Sequence, residues 1–365
     1  MIKMETLDTP RFRSFSADEK DVVKAGVELY KHYLYNQGKK EYAEFAKGDS
    51  YEIKHETFNK ALLLQAVTNL GLPASRANDA KILSKTSVRE EVFAMIAEAL
   101  DIIVPQTVLD DFFRLAEVKN IAWGDSLKIT IPNPNLFVVS KVGAGIRQTE
   151  PQRLYDGDVT LIPETRMITI EEDFYRIVSN KVDWGMLIAK VAQSMETEIS
   201  NDVYTAIFNT YTSLDTNLKE ASFTQATFVK LAQRVQALNN GAKVYCMGTK
   251  SGLASVIPSS DYFKFELGEE YNKLGYLGNF QGVELLEIPQ RITPNTTEFA
   301  ISDTTLYFFS MGVDKPVKIA FEGETLVEQV TDRGANADMT YNYTLSKRWD
   351  AKVATSARYG IMKLA

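Results

Sequence analysis

Apolar residues recur at helical spacing along the first third of the chain and at strand spacing afterwards, and the change of period falls at Trp123. Ser16 with Glu19 gives a capping-box pattern ahead of Val22, Val23, Gly26, Val27, Tyr30, Tyr33 and Leu34, which predicts a helix over about 17–36. After a Lys- and Glu-rich stretch through Asp49, a second helix carries Phe58, Leu62, Leu63, Val67 and Leu70 and stops at Gly71 and Pro73. Ser87 with Glu90 opens another before Val92, Phe93, Ile96 and Leu100, and Pro105 is placed at the start of a further helix through Phe112, Phe113 and Leu115.

Beyond Trp123, Leu127, Ile129 and Ile131 alternate with polar residues, the period of a strand with one buried face. A charged excursion without a core-forming run follows (SKVGAGIRQTEPQRLYDGD), turns at Asp156 and Gly157, and returns through the alternating VTLIPETRMITIEED. Two long strands with a polar tip describe a protruding β-hairpin. It is too polar to bury at home and too regular for a linker, so it is expected to pack on another copy of the chain.

Asp183 is placed to cap the next helix, whose stripe runs Trp184, Ile188, Val191, Met195, Ile199, Val203 and Ala206. Over residues 183–209 it would be about 40 Å long, enough to span a domain. Ser222 with Gln225 suggests a capping box for a helix through Phe228, Leu231, Val235 and Leu238, ended by Asn239, Asn240 and Gly241. From 242 to 312 strands (AKVYCMG, FQGVELLEIPQRI, EFAISDTTLYFFS) mix with a short helix (TKSGLASVIP), predicting an α/β subdomain. The last, β-rich segment is expected to return to the sheet on the long helix.

With 365 residues, 45% of them hydrophobic, the chain can fill two or three domain cores. A net charge of -7 limits any nucleic-acid contact to a local face. The lone cysteine, Cys246, sits in an apolar run, so there is no disulfide framework. The N-terminus lacks the apolar core of a signal peptide and no run approaches a membrane span, so the expected setting is cytoplasmic, without a membrane partner.

Candidate chemistry is sparse. His32 and His55 have no nearby ligand in metal-binding spacing, and Cys246 reads as a small core residue, so no catalytic, cofactor or metal site is expected. Gly143 and Gly145 form G-x-G, but Gln148 stands where a dinucleotide fingerprint needs its third glycine and no helix follows. Asp156 and Asp158 could take a divalent ion, although a turn explains them as well; Glu171, Glu172 and Asp173 form an acidic strand end. Arg147, Arg153 and Arg166 could pair with a neighbour's carboxylates, contact phosphate, or keep an exposed ribbon soluble. Together with Tyr155, Asp156, Glu171 and Glu172 they are the candidate intersubunit contacts.

In its order of parts the chain resembles the major capsid proteins of tailed double-stranded DNA phages, which have the Hong Kong 97-like fold. The resemblance covers about residues 120–365 and rests on the extended loop, the spine-like helix DWGMLIAKVAQSMETEISNDVYTAIFN, the segment LGYLGNFQGVELLEIPQ and the ending AKVATSARYGIMKL. It implies an α+β fold with a 1–50 N-terminal arm and a 51–120 helical segment or inserted subdomain. A 121–180 extended hairpin, a 181–241 plus 313–365 peripheral domain and a 242–312 axial domain complete it. It further implies a non-enzymatic shell subunit that forms hexamers and pentamers around packaged double-stranded DNA in a virion, with scaffold, portal and decoration proteins as partners. An encapsulin-like nanocompartment shell is the nearest alternative; a tail or baseplate protein and a metal-dependent α/β enzyme are more distant ones.

Overall fold

Three N-terminal helices bury their apolar stripes against each other and against the long central helix. The structure, a computed structural model, describes residues 15–77, 79–83, 85–112, 114–137, 139, 152–173, 183–258, 268–293, 296–330 and 340–364. Helix α1 (Ala17–Asn36) starts at the predicted capping box, with Ser16 and Glu19 exchanging side-chain and backbone hydrogen bonds. Helix α2 spans Tyr51–Asn69 and ends before Gly71, whose φ of +68° reverses the chain. Helix α3 runs unbroken over Thr86–Phe112, with Pro105 inside it, where the sequence suggested a new start. Proline removes one helical hydrogen bond. Burial on both sides of it (Ile102, Ile103, Val104 and Val108) holds the helix together.

The predicted spine is α4 (Trp184–Asn209), with the Asp183 carboxylate accepting from the Met186 N–H. At 1.5 Å per residue its 26 residues span about 39 Å. Val27, Leu62, Ile96, Leu100, Ile188 and Met195 all lie in one continuous core. Residues 17–112 therefore share that core with the spine.

Two sheets flank α4. In the first, of order β1-β10-β11-β4, strand β1 (Ala116–Ile121) runs parallel to the long β10 (Val317–Val330). Strand β10 pairs antiparallel with β11 (Thr340–Val353), and β11 with β4 (Glu164–Asp173). Between β1 and β4 the chain forms a separate two-stranded ribbon, β2 (Leu127–Ile131) against β3 (Gly157–Leu161). The single hairpin expected to run through residue 170 is thus two elements. Pro163 falls at the break; it cannot donate to a ladder, so the returning strand changes sheet there.

The second sheet has order β5-β12-β9-β6-β8-β7. Its strands are β5 (Lys219–Glu220), β6 (Val244–Thr249), β7 (Asn279–Phe280), β8 (Val283–Ile288), β9 (Thr305–Ser310) and β12 (Gly360–Lys363). Strand β6 is buried throughout because each face has a cover. Val244 and Cys246 face the core of helix α5 (Gln225–Leu238), whereas Tyr245 and Met247 face the core of α4. Helix α5 is capped by Thr224 with Thr227, two residues later than Ser222 with Gln225, since Thr224 has the extended backbone a cap requires. Strand β12 lies between β5 and β9, so the end of the β-rich last segment completes this second sheet and not the sheet of β10 and β11. Gly360 fits there because even a Cβ would come within 3.0 Å of Leu231.

Candidate assembly surface

The β2–β3 ribbon is held by its own pairs. Leu127 is opposite Leu161, Ile129 opposite Val159, and Asp158 accepts from Lys128 Nζ at 2.9 Å and from Thr130 Oγ1 at 2.9 Å. These bonds, Lys128's first and Thr130's next, hold the Asp158 carboxyl below the usual carboxylate range. Beyond the paired residues, Asp156 Oδ1 accepts from the Asn133 N–H at 3.1 Å and keeps the two runs side by side. Asp156 and Asp158 are therefore occupied by neighbours on the ribbon. Among the described residues no three His, Cys, Asp or Glu side chains converge as metal ligands.

What distinguishes the ribbon is apolar surface turned to water. Leu136 is 86% exposed, Tyr155 68%, Phe137 59% and Leu154 46%. Exposed apolar clusters of this kind mark interaction sites. Arg153 donates to the Tyr155 hydroxyl at 3.2 Å on the same surface.

The other candidate contacts lie elsewhere. Arg166 is on β4 and is engaged within the subunit: it reaches Glu164 at 3.2 Å and Asp202 at 3.4 Å, and it stands 5.5 Å over the Trp349 ring. Trp349 Nε1 donates to the same Asp202 at 2.9 Å, so Arg166 locks β4 onto α4. Glu171 is exposed on β4, and Glu172 stands opposite Tyr341 in the β4–β11 register. Arg147, like the G-x-G of Gly143 and Gly145, lies outside the described residues. The sequence-selected residues therefore divide into a ribbon set (Arg153, Tyr155, Asp156) and a β4 set (Arg166, Glu171, Glu172).

Sequence reasoning missed the side chains at the ribbon's base. Glu322 on β10 is almost fully buried, accepts from the Gly124 N–H at 2.8 Å and pairs with Arg348 at 2.5 Å. Arg348 also donates to the Pro163 carbonyl at 2.9 Å. Beside them the register of β10 with β11 shifts between Glu322 and Leu326. Gly323 there takes a φ of +61°, and an added Cβ would run into the Trp123 indole. The available signal was a glycine between two acids inside an alternating strand (FEGET), which marks a bulge.

The two histidines and the cysteine serve packing. His32 is buried, and desolvation first, with Lys54 second, pulls its pKa below the ordinary value. His55 contacts Asp183 at the start of α4. Burial pushes the Cys246 thiol up. No helix among the described residues is long and apolar enough to cross a membrane.

Comparison with known proteins agrees with this architecture. The family model described as "SPbeta prophage-derived putative capsid protein YonB" matches residues 49–363. Among solved structures, the capsid of a native GTA particle is similar at 12% identity with a TM-score of 0.50, over 70% of this chain and 90% of that one. The mature capsid of bacteriophage PhiM1 is similar at 8% identity and a TM-score of 0.46, over 69% and 86% of the two chains. A structure of Mycobacterium phage Adephagia is similar at 14% and 0.44, over 70% and 89%. No curated protein matches. At such identities the structural likeness is one of fold, and the matched family is a capsid family, which disfavours the nanocompartment alternative. With its α+β, Hong Kong 97-like fold and a family match over residues 49–363, the chain belongs to the YonB family of prophage-derived capsid proteins and is a shell-forming major capsid protein of the tailed-phage type.

Proposed function

We propose that the subunit closes through repeated heterologous contacts into hexamers and pentamers whose shell encloses double-stranded DNA, assembled in the host cytoplasm. Heterologous contacts close into rings when their rotation closes, and many weak contacts per subunit add up through avidity. In this reading residues 181–241 and 313–365 form the peripheral domain around α4, residues 242–312 the axial domain at capsomer centres, and the β2–β3 ribbon within 121–180 the extended arm. Residues 1–50 are the N-terminal arm that reaches a neighbour, and 51–120 a helical segment or inserted subdomain beside the spine. Scaffold, portal and decoration proteins would be met on the finished capsomers, and DNA through non-specific contacts confined to a local face, since the net charge of -7 gives the chain no overall attraction to phosphates.

The observation that carries the reading is the apolar surface of the ribbon, with Leu136 86% and Phe137 59% exposed. Replacing both with aspartate leaves the buried core untouched. The expected outcome is a folded subunit that elutes unassembled where the parent forms rings or closed particles in electron micrographs. Normal particles from L136D/F137D would remove the ribbon from the assembly contact.

A further inference from the structure

We infer that the Glu322–Arg348 pair is a positioning latch that fixes the angle at which the ribbon leaves the body, an inference that rests on the ribbon being an intersubunit arm. The chain enters and leaves the ribbon at two places, the turn at Ala122–Asp125 and the Ile162–Pro163 step. Farther out the ribbon meets the body through exposed single bonds, from Lys352 Nζ to the Thr160 carbonyl at 2.9 Å and from Arg358 to Asn135 Oδ1 at 3.0 Å, which are weak holds beside a charge-assisted pair. Main-chain groups of both end on the same ion pair: the Gly124 N–H on Glu322 Oε1 at 2.8 Å, and the Pro163 carbonyl on Arg348 at 2.9 Å. Arg348 donates to that same Oε1 at 2.5 Å, so the pair is a bridge between the two ends. A neighbouring residue repeats the device, since Asp350 accepts from the Ile162 N–H at 2.9 Å. Trp123, laid over Gly323, closes the other side.

Physical chemistry gives such a latch a purpose. A lone two-stranded ribbon is marginal and twists easily, because no third strand supports it. Residues 127–137 reach up to about 33 Å from the base when extended, so a tilt of about 10° there moves the far end by about 6 Å. That exceeds the tolerance of a packed interface. With Glu322 buried and Arg348 34% exposed, the pair is a weak device for stability, because partly exposed pairs contribute little and apolar residues replace buried ones as well or better. Glu322 and Arg348 are better explained by what they hold, which is one main-chain group at each end of the ribbon.

The test uses the full chain carrying spin labels at L136C on the ribbon and K190C on α4, with Cys246 buried and unlabelled. The parent is expected to give one narrow distance. E322M/R348M, which keeps apolar volume at both positions and so preserves the fold, is expected to broaden it. The Gly124 amide should also exchange about 10-fold faster once its charged acceptor is gone. E322Q, which retains an acceptor for Gly124, should fall between the two. A distance as narrow as the parent's in folded E322M/R348M, with unchanged Gly124 exchange, overturns the latch. Particle formation by the same double variant without labels is read separately. Broadened distances with normal particles leave the latch standing and count against the ribbon's role in assembly, while broadened distances with misshapen or absent particles support both.

Discussion

Replacing Asp101 with alanine tests how the helical part is fastened to the sheet. Asp101 on α3 is buried, and its carboxylate accepts from the Thr325 N–H at 2.8 and 3.0 Å, from Thr325 Oγ1 at 2.6 Å, and from Lys347 Nζ. Lys347 sits at an inward position of β11 between Leu345 and Trp349, only 2% exposed, and Thr325 lies in the irregular stretch of β10 whose amides leave the β11 ladder. Without the carboxylate, a bulge N–H is buried without its acceptor and an ammonium keeps only the longer bond to Thr325 Oγ1 at 3.3 Å, with no counter-charge. Breaking a buried pair costs about 3–5 kcal/mol. At about 2.1 cal/mol/K of unfolding entropy per residue, the whole chain melting as one unit would lose about 4–7 °C. K347M should cost less, because the remaining carboxylate keeps both bonds from Thr325. D101L/K347M should recover most of the loss, since apolar residues can replace a buried pair. Urea unfolding of unassembled subunits, followed by circular dichroism, gives all three values. A D101A variant within about 1 kcal/mol of the parent, or K347M costing more than D101A, would refute the reasoning.

Gly185→Ala should destabilise although alanine favours helices by about 1 kcal/mol: its Cβ would stand 2.6 Å from His55 Cδ2 and 2.9 Å from Leu29 Cδ2, and overpacking costs about 1–3 kcal/mol. A raised melting temperature would contradict this. Glu117 on β1 is held below its ordinary pKa first by the hydrogen bond from Lys318 Nζ across the β1–β10 pair. Its contribution is therefore complete above the unfolded carboxyl's value near 4.5 and is lost as pH falls through the lower folded value. E117Q should flatten the fall in urea midpoint over that acid range, and an equally steep fall in parent and variant would show that other groups carry it. Cys246, fully buried with its thiol pKa pushed up, should react with an aromatic disulfide reagent only in denaturant, and rapid labelling of the native subunit would contradict its placement.

Elements governed by local chemistry were legible in the sequence. The Ser16–Glu19 box, the Asp183 cap and the stripe from Trp184 to Val203 each state a helix within a few residues, and each helix is present with those bounds. The buried strand at Cys246 was legible because a two-faced apolar run has few alternatives. Long-range pairing was not. Leu161 and Ile168 read as one alternating strand, yet Leu161 pairs with Leu127 and Ile168 with Leu345, a division set by Pro163 and by which partner is free. Pro105 looked like a start and lies inside a helix, because burial of the surrounding turns outweighs one missing hydrogen bond. The ribbon's exposed Leu136 and Phe137 were passed over between an Asn- and Pro-rich run and the charged excursion that starts at Ser140. Glu322 and Asp101 were invisible because a buried acid in an apolar stretch declares itself only through its distant partner, and Arg348 because one charge in a charged run (SKRWD) does not say which acid it meets.

The strand order also fixes when in synthesis this subunit becomes competent. The first sheet needs β1 and β10, which are about 200 residues apart in the chain, and the second needs β12 inserted between β5 and β9. Neither sheet can close on a ribosome-bound fragment that lacks the late strands, and contacts so distant in sequence form slowly. Helices α1–α3 emerge first and can cover one another only in part, because the faces that meet α4 and the first sheet have no partner yet. A nascent chain would thus spend most of its translation as a helical cluster without its sheets, exposed to holdase chaperones. Its ribbon would not be aimed at a neighbour until β10 and β11 have been made, which keeps partial products out of a growing shell.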